Sequence, residues 1–302
     1  MALAVLAAAT GAATFGYATQ PSMSAAGAQA PSSPSWGLTQ VGSQQAWPLV
    51  QGHEVPSVAI LDSGVDSSHP DLAGKITAAR DFIDSTGDTS DASWHGTAVA
   101  GIVTGSSAAD TTAVCPSCTI VSGKVLDAND AGNDAEIAHA LLWAVASGAR
   151  VVNLSMSGAD EAPVLRAAIR TAARRGAVVV AAAGNGGSTD KSFPAADPNV
   201  IGVAATTSSD TVYTWSNRGP WVTIGAPGEM TTTLRGGGFT TFRGTSAAAP
   251  AVAATAAECL AVSPKLSPSA VRRILVRTAD PVRGMPFGRI DVARAVAACA
   301  AA

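Results

Sequence analysis

The sequence predicts an α/β fold: a doubly wound, mostly parallel β-sheet with helices on both faces. Short β-branched runs alternate along the chain with longer alanine-rich segments of helical periodicity. Several of the runs are apolar at every position, which is typical of strands that are covered on both sides. The predicted strands span residues 57–61, 119–126, 150–155, 177–183 and 200–205.

Two helices are predicted as crossovers between these strands. The first spans residues 133–148, because it opens at Asn133 with Glu136 three residues later and stops at Gly148. The second spans residues 160–175 and repeats this design, with apolar side chains inward, arginines outward and a glycine at its end. A repeated order of strand, helix and strand predicts the doubly wound arrangement.

Composition excludes two classes of partner. The chain has 302 residues and is 47% apolar, which is enough to bury a sizeable core. Its formal net charge is −3 with 14% charged residues, so it has neither a basic stripe for nucleic acid nor a polybasic patch for a membrane surface. Within residues 35–302 the Pro, Gly and Ser clusters are short, and we expect one domain there.

The first 30 residues differ from the rest of the chain. They carry no charged side chain and show Ala-x-Ala-like steps near their end, which resembles a secretory signal region. No Lys or Arg precedes Lys75, so the basic start of a signal peptide is missing, and a disordered Ala/Gly leader is the alternative. A membrane-spanning helix is not expected, because Gly11 and Gly16 interrupt the run before about 20 apolar residues.

The four cysteines are Cys115, Cys118, Cys259 and Cys299. In an exported chain an even number favours two disulfides, and the natural pairing is Cys115–Cys118 with Cys259–Cys299. One alternative is a redox dithiol at the Cys-x-x-Cys pair, whose usual thioredoxin-type context is absent. The other is a four-cysteine zinc site, which usually needs two close pairs.

Three residues are candidates for chemistry, because functional groups of a doubly wound sheet gather outside the carboxyl ends of its strands. Asp62 directly follows the first predicted strand, His95 opens a helix of small residues, and Ser246 precedes an alanine-rich helix. Alone, each has an ordinary structural explanation: a turn or cap, a hydrogen-bonded histidine, and a helix N-cap. Together their order, Asp, His, Ser, is that of the subtilisin type of catalytic triad.

The segments around these residues resemble the active-site signatures of the subtilisin-like serine proteases, the subtilases. The three segments are DSGVDSSHPDL from Asp62, HGTAVAG from His95 and GTSAAAP from Gly244. The segments WGLTQVGSQQAW, NLSMSG, AAAGNGG and TWSNRGPWVTIGAPG extend the resemblance from about Trp36 to the last helix. It implies a subtilisin-like fold and a secreted serine endopeptidase that acts on peptides or proteins, without a cofactor and as a monomer.

The resemblance also implies roles. Asp62 would hold the Nδ1–H of His95, and His95 would take the proton of Ser246, which would attack a peptide carbonyl and form an acyl-enzyme. Asn185, in AAAGNGG, would donate to the developing oxyanion together with the backbone N–H of Ser246. The structural alternative for Asn185 is a plain Asn-Gly turn.

The same resemblance implies a cleft that pairs with an extended peptide. Ser155, Met156 and Ser157 would form one wall, and the loop around Gly132 the other. Backbone pairing of this kind accepts many sequences, which predicts broad specificity. The primary specificity pocket would be lined by Ala182, Ala183 and Gly184, with Ser192 at its base. Small residues there predict a preference for a large apolar side chain at P1, the substrate residue whose carbonyl is attacked.

A structural calcium ion is poorly supported by the sequence. Asp71 matches a carboxylate that ligates calcium in several subtilases, but the partner loop offers only Asp110. We hypothesise that a Cys115–Cys118 bridge stiffens that loop instead.

Three other functions are each disfavoured by a feature of the sequence. A transpeptidase would need an insertion that shields the acyl-enzyme from water, and none is visible. A catalytically silent protein that binds extended peptides is disfavoured by the intact candidate triad and Asn185. A nucleotide-binding fold is disfavoured because no Gly-x-Gly-x-x-Gly follows the first strand.

Overall fold

The computed structural model describes residues 35–84, 86–105 and 113–302. The leader, residues 1–30, and Asp110 lie outside this part of the chain. The helices are α1 (Trp36–Gln40), α2 (Ser43–Val50), α3 (His95–Thr104), α4 (Asp134–Ala146), α5 (Pro163–Arg174), α6 (Thr245–Val262), α7 (Pro268–Thr278) and α8 (Val292–Ala300). The strands are β1 (Val58–Asp62), β2 (Ile76–Asp81), β3 (Ile120–Lys124), β4 (Val151–Leu154), β5 (Val178–Ala182), β6 (Val200–Thr206), β7 (Ile224–Pro227), β8 (Glu229–Leu234), β9 (Gly238–Arg243), β10 (Asp280–Pro281) and β11 (Gly288–Arg289).

Nine strands form the central sheet, in the order β10-β11-β7-β6-β5-β4-β1-β3-β2. All pairs are parallel except β10 with β11. The predicted α/β fold with a mostly parallel sheet is confirmed. Strand β1 pairs with β3 on one side and β4 on the other, so the strand order reverses there. A crevice forms outside the carboxyl ends of the strands at such a reversal, and Asp62 is the residue that ends β1.

The five predicted strands correspond to β1, β3, β4, β5 and β6, and every residue in them is buried. Strand β2, at one edge, is only partly buried. In the five buried strands apolar residues face both sides of the sheet, because helices cover both of its faces.

The crossover helices form where the sequence predicts them. Helix α4 begins after Asn133, whose side chain accepts the N–H of Ala135 at 2.8 Å. Helix α5 begins at Pro163, three residues later than predicted. Proline fits the first turn of a helix and disfavours helical backbone in the residue before it, so Pro163 sets the start.

Helix α6 lies in the middle of the fold and packs on α3, α8, β5 and β6. It is the one helix in the described part of the chain that is long and apolar enough to cross a membrane, and 94% of that stretch is buried inside the protein. Such burial is typical of a core helix. Its alanines let the surrounding elements approach closely.

Both predicted disulfides are present. Cys115 bonds Cys118 in the loop between α3 and β3, and Cys259 bonds Cys299, which ties α6 to α8. No cysteine is free. The pairing proposed from the sequence is therefore confirmed, and the zinc-site alternative is wrong because all four sulfurs are bonded to one another in pairs.

Glu258, on α6, is an acidic residue inside the core. It is fully buried, and neither carboxyl oxygen has a hydrogen-bond partner among the described residues. Burial raises the pKa of Glu258 well above its usual value of 4.5. The folded protein therefore retains a proton that the unfolded chain releases above about pH 4.5, and stability falls as the pH rises from there towards the folded-state pKa.

We predict that Glu258→Gln flattens this pH dependence and that Glu258→Leu also stabilises the protein. The glutamine cannot ionise, whereas leucine removes the unpaired polar group as well, a gain of about 1–3 kcal/mol. The measurement is the free energy of unfolding in denaturant at pH 4 to 8. Glu161→Gln is the control, because that glutamate forms a partly exposed ion pair with Arg166. A Glu258→Gln profile identical to that of the parent contradicts the prediction.

Candidate active site

A carboxylate and an imidazole meet at the carboxyl end of β1. Asp62 ends this strand and His95 begins α3. The Nδ1 of His95 lies 2.7 Å from Oδ1 of Asp62, which also accepts the N–H of Ser63 at 2.8 Å. Asp62 is 0% exposed and His95 is 2% exposed. An ionised carboxylate only accepts hydrogen bonds, so Nδ1 of His95 is the donor and Nε2 is the nitrogen that can take a proton.

A second buried carboxylate, Asp91, fixes the start of α3. Its Oδ1 accepts from the hydroxyl of Ser63 at 2.7 Å and from the N–H of Ser93 at 3.1 Å. Its Oδ2 accepts from both the N–H and the hydroxyl of Thr97. Burial raises the pKa of Asp91, and these donors oppose that shift by favouring the charged form. The network holds the backbone on both sides of His95.

The electrostatic surroundings make His95 a stronger base. Burial lowers the pKa of this imidazole, but the charge of Asp62 and its hydrogen bond to Nδ1 raise it, with further contributions from Asp130 and Asp91. The pKa is raised as a net result. A base of this kind becomes neutral, and able to accept a proton, at a higher pH than an ordinary histidine.

Ser246 is the second residue of α6 and is held against the end of β4. Its hydroxyl donates to the backbone oxygen of Ser155 at 3.1 Å, and the hydroxyl of Ser155 donates to the backbone oxygen of Ser246 at 3.1 Å. Ser155 follows β4, which neighbours β1, so this pair places Ser246 beside the strand that ends in Asp62.

The N-cap of α6 is Gly244, so the structural explanation of Ser246 as a helix cap is not supported. Gly244 has φ +148°, a conformation that residues with a Cβ rarely adopt. The backbone conformation of the turn into α6 therefore calls for glycine at position 244.

The carboxamide of Asn185 is oriented by α6. Its Oδ1 accepts the N–H of Thr245 at 2.9 Å and the Thr245 hydroxyl at 3.0 Å. Because the oxygen is occupied by these two donors, the NH₂ group is the end that is left to meet a ligand. The half-buried Asn185 is not a plain Asn-Gly turn residue, since its side chain ties the loop after β5 to the N-terminus of α6.

A further asparagine, Asn217, shapes the loop that carries Asn185. Its Oδ1 accepts the N–H groups of Gly186 and Ser188, both at 3.0 Å, and its Nδ2 donates to Ala183 O at 2.9 Å. Gly184 has φ +100°, and a Cβ there would lie 2.6 Å from Nδ2 of Asn217. This glycine therefore allows the close approach on which the loop depends.

The structure divides the predicted cleft residues into two groups. Gly132 and Ser157 are half-buried, and Gly132 forms an isolated antiparallel bridge with Leu126. The buried Ser192 donates its hydroxyl to Gly158 O at 3.2 Å. The other members of the predicted walls are fully or almost fully buried and support the cleft from behind; they are Ser155, Met156, Ala182, Ala183 and Gly184.

This arrangement has the parts that acyl transfer requires. It supplies a hydroxyl at a helix N-terminus, an imidazole oriented by a carboxylate, and an oriented amide donor. The backbone N–H of Ser246 lies in the first turn of α6, where N–H groups lack intrahelical partners and point at a developing negative charge.

Comparison with known proteins decides the family. A model of the subtilase family matches residues 54–294, most of the chain. The chain belongs to the subtilase family. The matched range contains Asp62, His95, Asn185 and Ser246, the residues on which the resemblance rests.

This subtilase has curated relatives, one of which is named as a serine proteinase. It is 38% identical over 258 residues to the thermophilic serine proteinase of Bacillus sp. (strain AK1), covering 83% of this chain and 64% of that protein. It is 34% identical over 272 residues to thermitase of Thermoactinomyces vulgaris, covering 88% and 96%. It is 37% identical over 229 residues to subtilisin amylosacchariticus of Bacillus subtilis subsp. amylosacchariticus, covering 74% and 60%. The chain thus spans less than two thirds of the first and third of these proteins.

Several residues of the subtilase site were not found by sequence reasoning. They are Asp91, Ser63, Ser93, Thr97, Thr245 and Asn217, which all act through hydrogen bonds to other parts of the site. A usable signal existed for Asp91, because an aspartate four residues before a helix-opening histidine can reach the N–H groups of the first turn.

Asp71 is the residue that the sequence offers as a calcium ligand. Asp71 lies in a short 3-10 helix (Pro70–Leu72), is nearly buried, and burial raises its pKa. No group of three or more His, Cys, Asp or Glu residues is arranged for a metal in residues 35–84, 86–105 and 113–302. Calcium usually takes six to eight oxygen ligands, so Asp71 alone does not fit it.

We therefore predict that a chelator leaves the melting temperature of this subtilase unchanged. The measurement is thermal unfolding of the Ser246→Ala protein with and without EDTA, with a known calcium-stabilised subtilisin as the positive control. A large drop in the melting temperature with EDTA contradicts the prediction.

Proposed function

We propose that this subtilase is a secreted serine endopeptidase in which Ser246 is the nucleophile, His95 the general base and Asp62 the residue that orients it. The observation that carries the proposal is the buried 2.7 Å hydrogen bond between His95 and Asp62, beside the N-terminus of α6. Membership of the subtilase family supports the reaction class.

The reaction begins when the hydroxyl of Ser246 turns from the backbone of Ser155 to His95. Its oxygen attacks the peptide carbonyl carbon while Nε2 of His95 takes the proton, and Asp62 stabilises the imidazolium. Nδ2 of Asn185 and the N–H of Ser246 donate to the oxyanion. Collapse expels the amine, which receives the proton from His95 and leaves an ester on Ser246. Water, deprotonated by His95, attacks that ester and frees the acid product and the serine.

Specificity follows from the cleft. An extended peptide between Gly132 and the segment Ser155–Ser157 would be held by its backbone, which favours broad specificity. We propose that the enzyme prefers a large apolar residue at P1, because Ser192 and Gly184, the predicted base and wall of the pocket, are small and uncharged.

Export is supported by the two disulfides. Disulfides persist in oxidising compartments and are rare in the cytosol, so Cys115–Cys118 and Cys259–Cys299 favour secretion. We propose a monomer, the usual state of family members implied by the resemblance.

The test is labelling with a fluorophosphonate probe, followed by mass spectrometry to locate the adduct. We expect an adduct on Ser246 alone, absent from Ser246→Ala and from heat-denatured protein, together with hydrolysis of peptide p-nitroanilides. Absence of the adduct from demonstrably folded protein would overturn the proposal and favour a silent peptide-binding protein. An adduct with aminolysis that outpaces hydrolysis would favour a transpeptidase.

A further inference from the structure

A third carboxylate, Asp130, lies beside His95 and has no role in the proposed reaction. It belongs to the loop between β3 and α4, two residues before Gly132. The hydroxyl of Ser93 donates to its Oδ1 at 2.7 Å, and the same hydroxyl accepts the N–H of His95 at 3.1 Å. Asp130 is therefore linked to the backbone of His95 through a single side chain.

The loop is built to hold Asp130 in this place. Asp130 has φ 57°, a left-handed conformation that Asp and Asn tolerate better than other residues with a Cβ. Its N–H donates to Asp127 O at 3.0 Å, and the N–H of Asp127 donates to Ala131 O at 2.8 Å. This closed turn presents the carboxylate to Ser93, just before the N-terminus of α3.

The charge of Asp130 is not neutralised by a basic residue. Within residues 35–84, 86–105 and 113–302, no Lys or Arg forms an ion pair with it. Asp62 and Asp91 are two further acids close enough to interact with it electrostatically. Of these three carboxyl groups, Asp62 and Asp91 are buried, and Asp130 is the half-buried one within reach of solvent.

The geometry of an extended peptide brings one substrate side chain to this place. Successive side chains of a strand point to opposite faces, so a P1 side chain in the pocket at Gly184 and Ser192 would leave the preceding side chain, P2, on the face opposite that pocket. A peptide strand that pairs with the loop around Gly132 would pass Asp130, which belongs to the same loop.

We infer that Asp130 is a specificity-determining residue that selects substrates with a cationic side chain, lysine or arginine, at P2. This inference rests on the proposed endopeptidase function and names its substrate class more closely. The cationic group would pair with the free face of the carboxylate while Ser93 holds the other side. An ion pair at a half-buried position favours the charged substrate about fivefold.

The experiment compares peptides that differ only in the charge at P2. The substrates are acetyl-Ala-Ala-Xaa-Phe-p-nitroanilides with lysine, norleucine or glutamate as Xaa, because norleucine keeps the lysine stem without the charge. For the unmodified protein we expect kcat/KM to be about fivefold higher with lysine than with norleucine and lower with glutamate. Raising the salt concentration should reduce the lysine preference.

Asp130→Asn is the decisive variant, because asparagine tolerates the left-handed backbone and can still accept from Ser93. We expect the ratio of lysine to norleucine to fall to about one in this variant. Glu54→Gln is the control: this exposed glutamate precedes β1 at the opposite end of the sheet, and its loss should leave the ratio unchanged.

The outcomes separate the two proposals. If the protein cleaves the norleucine peptide but shows no preference for lysine, or if that preference survives Asp130→Asn, the proposed role of Asp130 is wrong. Either result leaves the endopeptidase proposal unaffected. If Glu54→Gln loses the lysine preference to the same extent as Asp130→Asn, the preference comes from net charge, and the proposed role of Asp130 is again wrong. Failure to cleave any peptide or to label Ser246 overturns both proposals.

Discussion

Replacing Asp62 with asparagine is expected to lower kcat by about four orders of magnitude while the protein stays folded. The carboxylate accepts the Nδ1–H of His95 at 2.7 Å and so leaves Nε2 as the acceptor. An asparagine can turn its NH₂ group towards Nδ1, which places the proton on Nε2, where it blocks transfer from Ser246. The imidazolium also loses its counter-ion.

The measurement is kcat with a peptide p-nitroanilide, alongside circular dichroism and the melting temperature. Asp91→Asn is the matched control, since it alters a buried carboxylate of the same network that does not contact the imidazole. We expect it to reduce stability far more than it reduces kcat. If Asp62→Asn retains more than a tenth of the activity, Asp62 does not orient the catalytic base and the assignment of the triad is wrong.

Elements that depend on local pattern were predicted well. Strands β1, β3, β4, β5 and β6 were predicted from short runs rich in apolar and β-branched residues, and every residue in these strands is buried. Helix α4 was bounded by Asn133 and Gly148, whose preferences are local. Helix α5 was placed correctly, but its predicted start was wrong by three residues, because Pro163 disfavours helical backbone in the residue before it and so opens the helix itself.

Interactions between distant segments were not predicted from the sequence. Asp91, Ser63 and Thr97 form one network although they are separated in the chain, and each alone is an ordinary polar residue. The Asp130 contact with Ser93 joins positions 37 residues apart. A single sequence does not show which of its separated positions lie close together in the folded chain. The principal candidates, Asp62, His95 and Ser246, were identified from their positions at strand and helix ends and from their order in the chain, and the family signatures around them then implied their roles.

Replacing Asn185 with leucine is expected to lower kcat about 10²- to 10³-fold with little change in KM. That range was established for such a donor in a subtilisin and is transferred here through the family. The NH₂ of Asn185 is directed by two hydrogen bonds from Thr245 to Oδ1, so it is placed before substrate arrives. A donor of this kind stabilises the oxyanion of the transition state more than the ground-state carbonyl, which is why kcat falls and KM does not rise.

The measurement is the separate determination of kcat and KM for one p-nitroanilide, with Asn199→Leu as the control because that asparagine is exposed before β6. Leucine at position 185 also removes the oxygen that accepts hydrogen bonds from Thr245. Thr245→Val, which loses the hydroxyl, therefore measures how much of the fall in kcat comes from losing that hydrogen bond. We expect Thr245→Val to cost less than Asn185→Leu, since the donor itself remains. A loss confined to KM, or a loss of kcat below tenfold, would show that the amide binds substrate without stabilising the oxyanion. The negative charge would then be carried by the N–H of Ser246 and the first turn of α6 alone.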